Sequence, residues 1–127
     1  MKQKGFDREA IHFFKESMQN SEENSDQYIR AGIELAGSYI ELGEYELTIE
    51  CLNKLNEPVR FLFGRQSRFY LLILERLMKA YFFQGNFEHF LAFANCILEI
   101  LEESSEKNST TWFQTIELIS DAHFQRG

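Results

Sequence analysis

The sequence predicts an all-α fold built from antiparallel helix pairs, and two observations favour it. The chain has a single proline and seven glycines among 127 residues, so it offers few places to turn. Four of the glycines stand 38, 42 and 42 residues apart: Gly5, Gly43, Gly85 and Gly127. Near-constant spacing of this size is typical of a repeated helical unit. We therefore expect one domain over residues 1–127, either a whole solenoid or an excerpt of a longer one.

Six helices are predicted from apolar periodicity and from the residues that start and end helices. Their expected bounds are 6–20, 26–42, 44–56, 65–84, 86–104 and 109–126. Loops are expected where polar or helix-breaking residues gather, at 20–25, 56–64 and 104–109. Each of the four spaced glycines is expected at a hairpin corner, because a residue with positive φ ends one helix and reverses the chain.

Local signals support individual elements. Asn86 is predicted to cap the fifth helix through its side-chain oxygen, and a serine or threonine near Thr110 is predicted to cap the sixth. Residues 69–74 are apolar on every side, which predicts a helix that lies between neighbours. A buried strand is the alternative for those six residues, but the helical phase continues through residues 75–83.

Composition and charge exclude several functional classes. With 13 basic and 20 acidic residues the net charge is −7, which repels a phosphate backbone. Basic residues do not gather on one helix face, so binding to an anionic membrane is as little favoured as binding to nucleic acid. No apolar run approaches the ~20 residues of a membrane span, and residues 1–10 lack the apolar core that is typical of a signal peptide. Because Cys51 and Cys96 lie far apart, we expect buried, reduced thiols in a cytoplasmic protein.

The residues around two of the glycines resemble the tetratricopeptide repeat (TPR) family, whose helix pairs stack into a right-handed superhelix. The matching residues are Leu35, Ala36, Tyr39, Gly43, Tyr45 and Ile49, then Leu77, Tyr81, Gly85, Phe87 and Leu91. The spacing here exceeds the family's usual 34 residues, and Thr48 and Phe90 stand where the family prefers a small side chain. The longer spacing is similar to that of the peptide-sensing domains of Rap-type bacterial quorum-sensing regulators.

The resemblance implies a concave face on which the first helix of each pair binds an extended peptide. The implied groove residues are Arg30, Ile33, Glu34 and Glu41, then Leu72, Glu75, Arg76, Lys79 and Phe83, then Glu117, Asp121 and Phe124. Arg76 and Lys79 are one helical turn apart and are candidates to hold a peptide carboxylate. A solvated face in which Glu75 pairs with Lys79 is the alternative, and it is favoured.

Nothing in the sequence points to catalysis or to a cofactor. His89 and Cys96 share one helix face, but no third or fourth ligand lies near them in sequence, and structural zinc requires four. A Gly-rich phosphate loop, a paired-acid signature and a Ser-His-Asp order are all missing. We therefore expect no enzyme activity, no metal site and no cofactor.

The predicted function is a non-catalytic module that binds a peptide or protein partner. One alternative is the part of a bacterial regulator that senses a signalling peptide and switches a module outside this chain. Another is a structural oligomerisation module, built through the lone helix expected at each end. Among oligomers, a two-fold homodimer through one terminal helix is preferred to a head-to-tail contact.

Overall fold

The computed structural model describes residues 4–106 and 109–126, which form six α-helices and contain no strand. In chain order the helices are α1 (Lys4–Gln19), α2 (Asp26–Glu41), α3 (Tyr45–Phe63), α4 (Arg68–Gln84), α5 (Phe87–Glu103) and α6 (Thr110–Arg126). For the described residues the all-α prediction is therefore confirmed, including the helix over residues 69–74. None of the described helices combines the length and apolar character that crossing a membrane requires.

The main disagreement with the sequence prediction is in α3. The prediction ends this helix at residue 56 and places a loop at 56–64, whereas α3 continues through Pro58 to Phe63. A proline inside a helix removes one hydrogen bond and costs ~3 kcal/mol. Opposing that cost, Leu55 and Val59 are one turn apart and are 1% and 0% exposed. Full burial of such a side chain contributes ~1.5–3 kcal/mol, so the core holds both turns of the helix in place.

Two of the four spaced glycines lie at the predicted corners. Gly43 and Gly85 follow α2 and α4 with φ of 77° and 78°. A Cβ at either position would meet no atom within 4 Å, so the requirement for glycine is conformational rather than spatial. After each glycine, a backbone N–H donates to the carbonyl oxygen five residues earlier, at 2.8 Å from Glu44 and 3.0 Å from Asn86.

The other two glycines do not support the regular spacing. Gly5 lies within the first turn of α1, so its predicted corner is wrong. Gly127 falls outside the described residues. Between α3 and α4 the chain turns instead at Gly64, whose φ is 89°. The turn between α5 and α6 uses a serine, Ser105, with a φ of 63°.

Side-chain caps start the last three helices, and those of α5 and α6 were predicted. The Asn86 side-chain oxygen accepts a hydrogen bond from the His89 N–H at 3.4 Å. Ser109 accepts one from the Trp112 N–H at 3.2 Å, which confirms the cap expected near residue 110. Ser67 does the same for α4, with the Tyr70 N–H at 3.0 Å. These oxygens satisfy donors that the first helical turn leaves unpaired.

Each helix packs against the next one along the chain, and α2 also packs against α4. Between α2 and α3, contacts pair residues in opposite order. The Thr48 hydroxyl donates to the Ala36 carbonyl at 3.4 Å, and the Cys51 thiol donates to the Gly32 carbonyl at 3.5 Å. The two helices approach closely at Gly32, where an added Cβ would lie 2.6 Å from Leu55 Cδ1.

The core runs through the middle of the chain. The largest fully buried side chain among the described residues is Phe90 of α5. Helix α4 buries residues along its whole length: Tyr70, Ile73, Leu74, Leu77, Met78 and Ala80. Cys51 and Cys96 are unpaired as predicted, but each is only half-buried because it lies at the edge of the core.

Candidate functional site

The predicted groove residues of α2 divide between surface and core. Arg30, Glu34 and Glu41 are exposed. Ile33 is 1% exposed and belongs to the hydrophobic core, so the prediction of an exposed side chain is wrong, although Ile33 still lines the cleft described next. The reason is that α4 packs directly against this face of α2 and covers the side chain.

A cleft lies where α2 and α4 pack together, and we call it the α2–α4 cleft. Its volume is about 320 Å³, and its lining residues are Arg30, Ile33, Glu34, Arg68, Phe69 and Leu72. Four of these were predicted from the sequence as groove residues, namely Arg30, Ile33, Glu34 and Leu72. The α2–α4 contact therefore brings residues of two helices that are separated in sequence by α3 into one site.

A cation–π contact positions the arginine of the cleft. The guanidinium carbon of Arg30 lies 5.6 Å from the centre of the Phe69 ring. Such a contact is worth ~0.5–1 kcal/mol at an exposed site. Phe69 in turn packs edge-on against Phe63 of α3, with ring centres 5.4 Å apart. The aromatic wall of the cleft is thus supported from two sides.

A second cavity adjoins the α2–α4 cleft and lies between α1 and α2. It has a volume of about 440 Å³ and is lined partly by Phe13, Phe14 and Ser17 of α1. Arg30 and Glu34 line this cavity as well as the α2–α4 cleft. Phe13 is 64% exposed, although the Phe13–Phe14 pair in the sequence favours core packing.

The predicted carboxylate clamp on α4 is half-buried. The guanidinium of Arg76 lies over Gly37 of α2, with its Nε 3.3 Å from the position of an added Cβ. Burial raises the pKa of the Glu75 carboxyl, and the charges of Lys79, Arg76 and Arg68 oppose that rise. Although all four residues are described, no nitrogen–oxygen distance of 4.0 Å or less joins Glu75 to Lys79, so the favoured ion pair does not form.

The remaining predicted residues lie away from the cleft. Phe83 is 53% exposed and stacks on Tyr45 of α3, with ring centres 5.7 Å apart. Glu117, Asp121 and Phe124 are exposed on α6 and do not line the α2–α4 cleft. Part of the predicted groove set therefore lies together at the α2–α4 cleft, and the other residues lie elsewhere on the surface.

The two cysteines and His89 were the candidate reactive or metal-ligating side chains. Burial raises the pKa of the Cys51 thiol to about 11 and also raises that of Cys96, which keeps both thiols protonated and weakly nucleophilic. His89 stacks on Tyr81 at 4.9 Å, and its Nδ1 lies 3.1 Å from the Asn86 side-chain oxygen. Among the described residues, no three His, Cys, Asp or Glu side chains lie close enough together to hold a metal ion.

Comparison of the chain with known protein families, with curated proteins and with solved structures finds no match in any of the three. No function is therefore carried over from a relative. The chemistry of the α2–α4 cleft stands on its own residues.

Proposed function

We propose that this chain is a non-catalytic module that binds a short segment of another protein in the α2–α4 cleft. The observation that carries the proposal is the convergence of Arg30, Glu34 and Leu72 on one cleft. These residues lie on two helices that are separated in sequence by the whole of α3. A shared surface of this kind suits an extended partner that crosses both helices.

The proposed architecture is a TPR-like right-handed solenoid of antiparallel helix pairs. Three features support it: each helix packs on the next, α2 also packs on α4, and the α2–α3 contacts pair residues in opposite order. In such a stack α2, α4 and α6 are the first helices of successive pairs. The sides of these three helices that face the groove then form one continuous concave surface. That surface contains the α2–α4 cleft.

The cleft fits a large apolar side chain next to a carboxylate. Ile33, Phe69 and Leu72 supply an apolar lining, and a volume of about 320 Å³ accommodates one or two side chains. Arg30 and Arg68 also line the cleft. Neither guanidinium forms an ion pair with another described residue, so both are available to hold a ligand carboxylate by charge-assisted hydrogen bonds.

The test is titration with labelled short peptides in which one Asp or Glu stands beside a Leu or Phe, followed by fluorescence anisotropy. We expect Arg68→Ala to weaken binding at least ~10-fold, because a hydrogen bond to a charged group contributes ~1.5–3 kcal/mol. Arg60→Ala is the matched control, since Arg60 is an exposed arginine on α3 outside the cleft. Binding that responds equally to both substitutions, or no binding at millimolar peptide, would contradict the proposal.

The same titration separates the cleft from the clamp predicted further along α4. If Arg76 and Lys79 extend the site, Arg76→Ala and Lys79→Ala weaken peptides that carry a second carboxylate and leave singly charged peptides unaffected. Salt dependence gives an independent check, because screening weakens these charge contacts more than the apolar ones.

A further inference from the structure

Helix α6 is apolar on two opposite sides. Thr115 and Ala122 are buried on the inner side, where Leu118 and Ile119 pack against the core. On the outer side Phe113 and Phe124 are 58% and 88% exposed. We call the outer stripe of α6 the set Phe113, Ile116, Ser120 and Phe124.

Helical geometry places the outer stripe directly opposite the buried one. At ~100° per residue, Phe113, Ser120 and Phe124 fall within ~40° of one another, while Ala122 lies ~180° from Phe113. A helix that is apolar on both sides is typical of one that is covered on both sides. The stripe therefore has the character of a contact surface.

Charges beside the outer stripe restrict what covers it. Glu117 and Asp121 are exposed along one flank, whereas His123 is exposed along the other, next to Ile116 of the stripe. An antiparallel two-fold pairing of two α6 helices would place their acidic flanks side by side, and like charges at an interface are destabilising. The flank instead matches a surface that is apolar and carries cations on one side.

The chain has such a surface in a groove between α1 and α3, over α2. Two adjoining cavities of about 240 and 250 Å³ share Lys15, Tyr39 and Leu47, so they form one trough. We call it the α1–α3 groove. Its walls include Arg8, Lys15 and Met18 from α1, and Leu47, Glu50 and Lys54 from α3.

The groove matches the outer stripe in length. From Arg8 to Met18 the α1 wall rises ~15 Å, and from Phe113 to Phe124 the stripe rises ~16 Å. The α2–α4 cleft, by contrast, spans about one turn of α4 from Arg68 to Leu72, or ~6 Å. A helix therefore fits the groove along its length and does not fit the cleft.

The groove also matches the stripe in the placement of charge. The α1 wall lines it with two cations, Arg8 and Lys15, and with no carboxylate. Carboxylates line it only on the α3 side, from Glu44 and Glu50. Neither Lys15 nor Lys54 forms an ion pair with another described residue.

We propose that the outer stripe of α6 of one copy docks in the α1–α3 groove of a second copy, with Glu117 and Asp121 against Arg8 and Lys15. The contact joins two different surfaces, so it is head-to-tail and builds a ring or an open chain of copies. It is an alternative to the two-fold dimer expected from the sequence, and it uses the opposite side of α2 from the α2–α4 cleft.

The test is complementation between two variants in sedimentation velocity. Phe113→Glu with Phe124→Glu removes the apolar stripe, and Arg8→Glu with Lys15→Glu reverses the two cations of the α1 wall of the groove. We expect each variant alone to stay monomeric at concentrations where the wild type associates. An equimolar mixture then forms a 1:1 dimer and nothing larger, because only one good interface remains.

Three outcomes would overturn the proposal. The wild type remains monomeric up to millimolar concentration, the groove variant associates as the wild type does, or the mixture of variants stays monomeric. The controls are Phe61→Glu, which changes a phenylalanine of α3 that is also 88% exposed, and Arg60→Glu, which reverses a cation outside the groove. Both controls are expected to associate like the wild type, within a factor of ~2 in dissociation constant.

The cysteines provide a second readout in the same molecule. Cys51 lines the groove and Cys96 lies outside it, and each is half-buried. We expect association to slow maleimide labelling of Cys51 at least ~5-fold relative to Cys96 as protein concentration rises. Labelling of the two thiols in a constant ratio, while sedimentation reports association, would place the contact elsewhere and overturn the proposal.

Discussion

Helices α4 and α6 have the same length and the same kind of start, yet they are placed very differently. Each has 17 residues and begins after a serine that caps it. Helix α4 packs against α2, α3 and α5, whereas α6 packs chiefly against α5. Most helical stability in proteins comes from tertiary packing. The comparison indicates that α4 organises the core, while α6 is the less stable helix and keeps one apolar face free.

The strongest way to test this contrast is to remove a leucine from each helix. Leu77 of α4 is fully buried, and Leu118 of α6 is half-buried against the core. Because the cost of truncation grows with the cavity left behind, we expect Leu77→Ala to lower the free energy of unfolding by ~3–5 kcal/mol and Leu118→Ala by ~1 kcal/mol. Urea denaturation followed by circular dichroism measures both, and equal losses would contradict the contrast.

Substitutions at the corner after α4 and at the corner before α6 are expected to change stability by smaller amounts. The two changes have opposite signs. Gly85 has a φ of 78° with open space around it, so Gly85→Ala is expected to cost ~1–2 kcal/mol from backbone strain alone. Ser105 holds a φ of 63° without being glycine, so Ser105→Gly is expected to stabilise by up to ~1 kcal/mol. Thermal unfolding of the two variants checks the signs, and a stabilising Gly85→Ala would refute the argument.

The two serine caps give an effect of similar chemistry in different surroundings. Ser67→Ala and Ser109→Ala each remove one cap hydrogen bond, worth ~1 kcal/mol. For Ser67→Ala we expect a lower free energy of global unfolding, because α4 unfolds only together with the core. For Ser109→Ala we expect faster amide hydrogen exchange confined to residues 112–119. Exchange that accelerates over the whole chain in Ser109→Ala would show that α6 unfolds only together with the core.

The smallest expected effect concerns the half-buried carboxyl of α4. Burial raises the pKa of Glu75 above its ordinary value of 4.5, so its ionised form opposes folding. That penalty is absent below pH 4.5 and grows as pH rises through the pKa of the folded state. Glu75→Gln is therefore expected to stabilise the protein at pH 7 by less than ~1 kcal/mol and to lose this gain near pH 4. Urea denaturation at pH 7 and near pH 4 measures this stabilisation. A larger stabilisation by Glu75→Gln at the lower pH would contradict the prediction.

Features that depend on neighbouring residues could be predicted from the sequence. Gly43, Gly85 and Asn86 act through local backbone geometry and a hydrogen bond three residues away, and all three predictions are confirmed. The continuation of α3 past Pro58 could not be predicted in this way. It depends on the burial of Val59 by residues distant in sequence.

The same distinction applies to the candidate site. Arg30 and Glu34 are polar residues one turn apart on a helix, and this pattern alone predicts a surface. Ile33 was misplaced because the sequence does not say where α4 crosses α2. Arg68 and Phe69 were missed for the same reason, since they enter the cleft only through that crossing. A cation followed by an aromatic residue at the start of α4 was the available signal.

Gly32 has a consequence beyond the close approach of α2 and α3. It does not line the α1–α3 groove, but a methyl group there would press on Leu55 Cδ1 at 2.6 Å and on Met18 Cε at 3.3 Å, and both of these side chains do. The absence of a side chain at Gly32 therefore sets the depth of the α1–α3 groove, although Gly32 does not line that groove. A single added carbon inside the protein would make that surface shallower from beneath, with every residue on its rim unchanged.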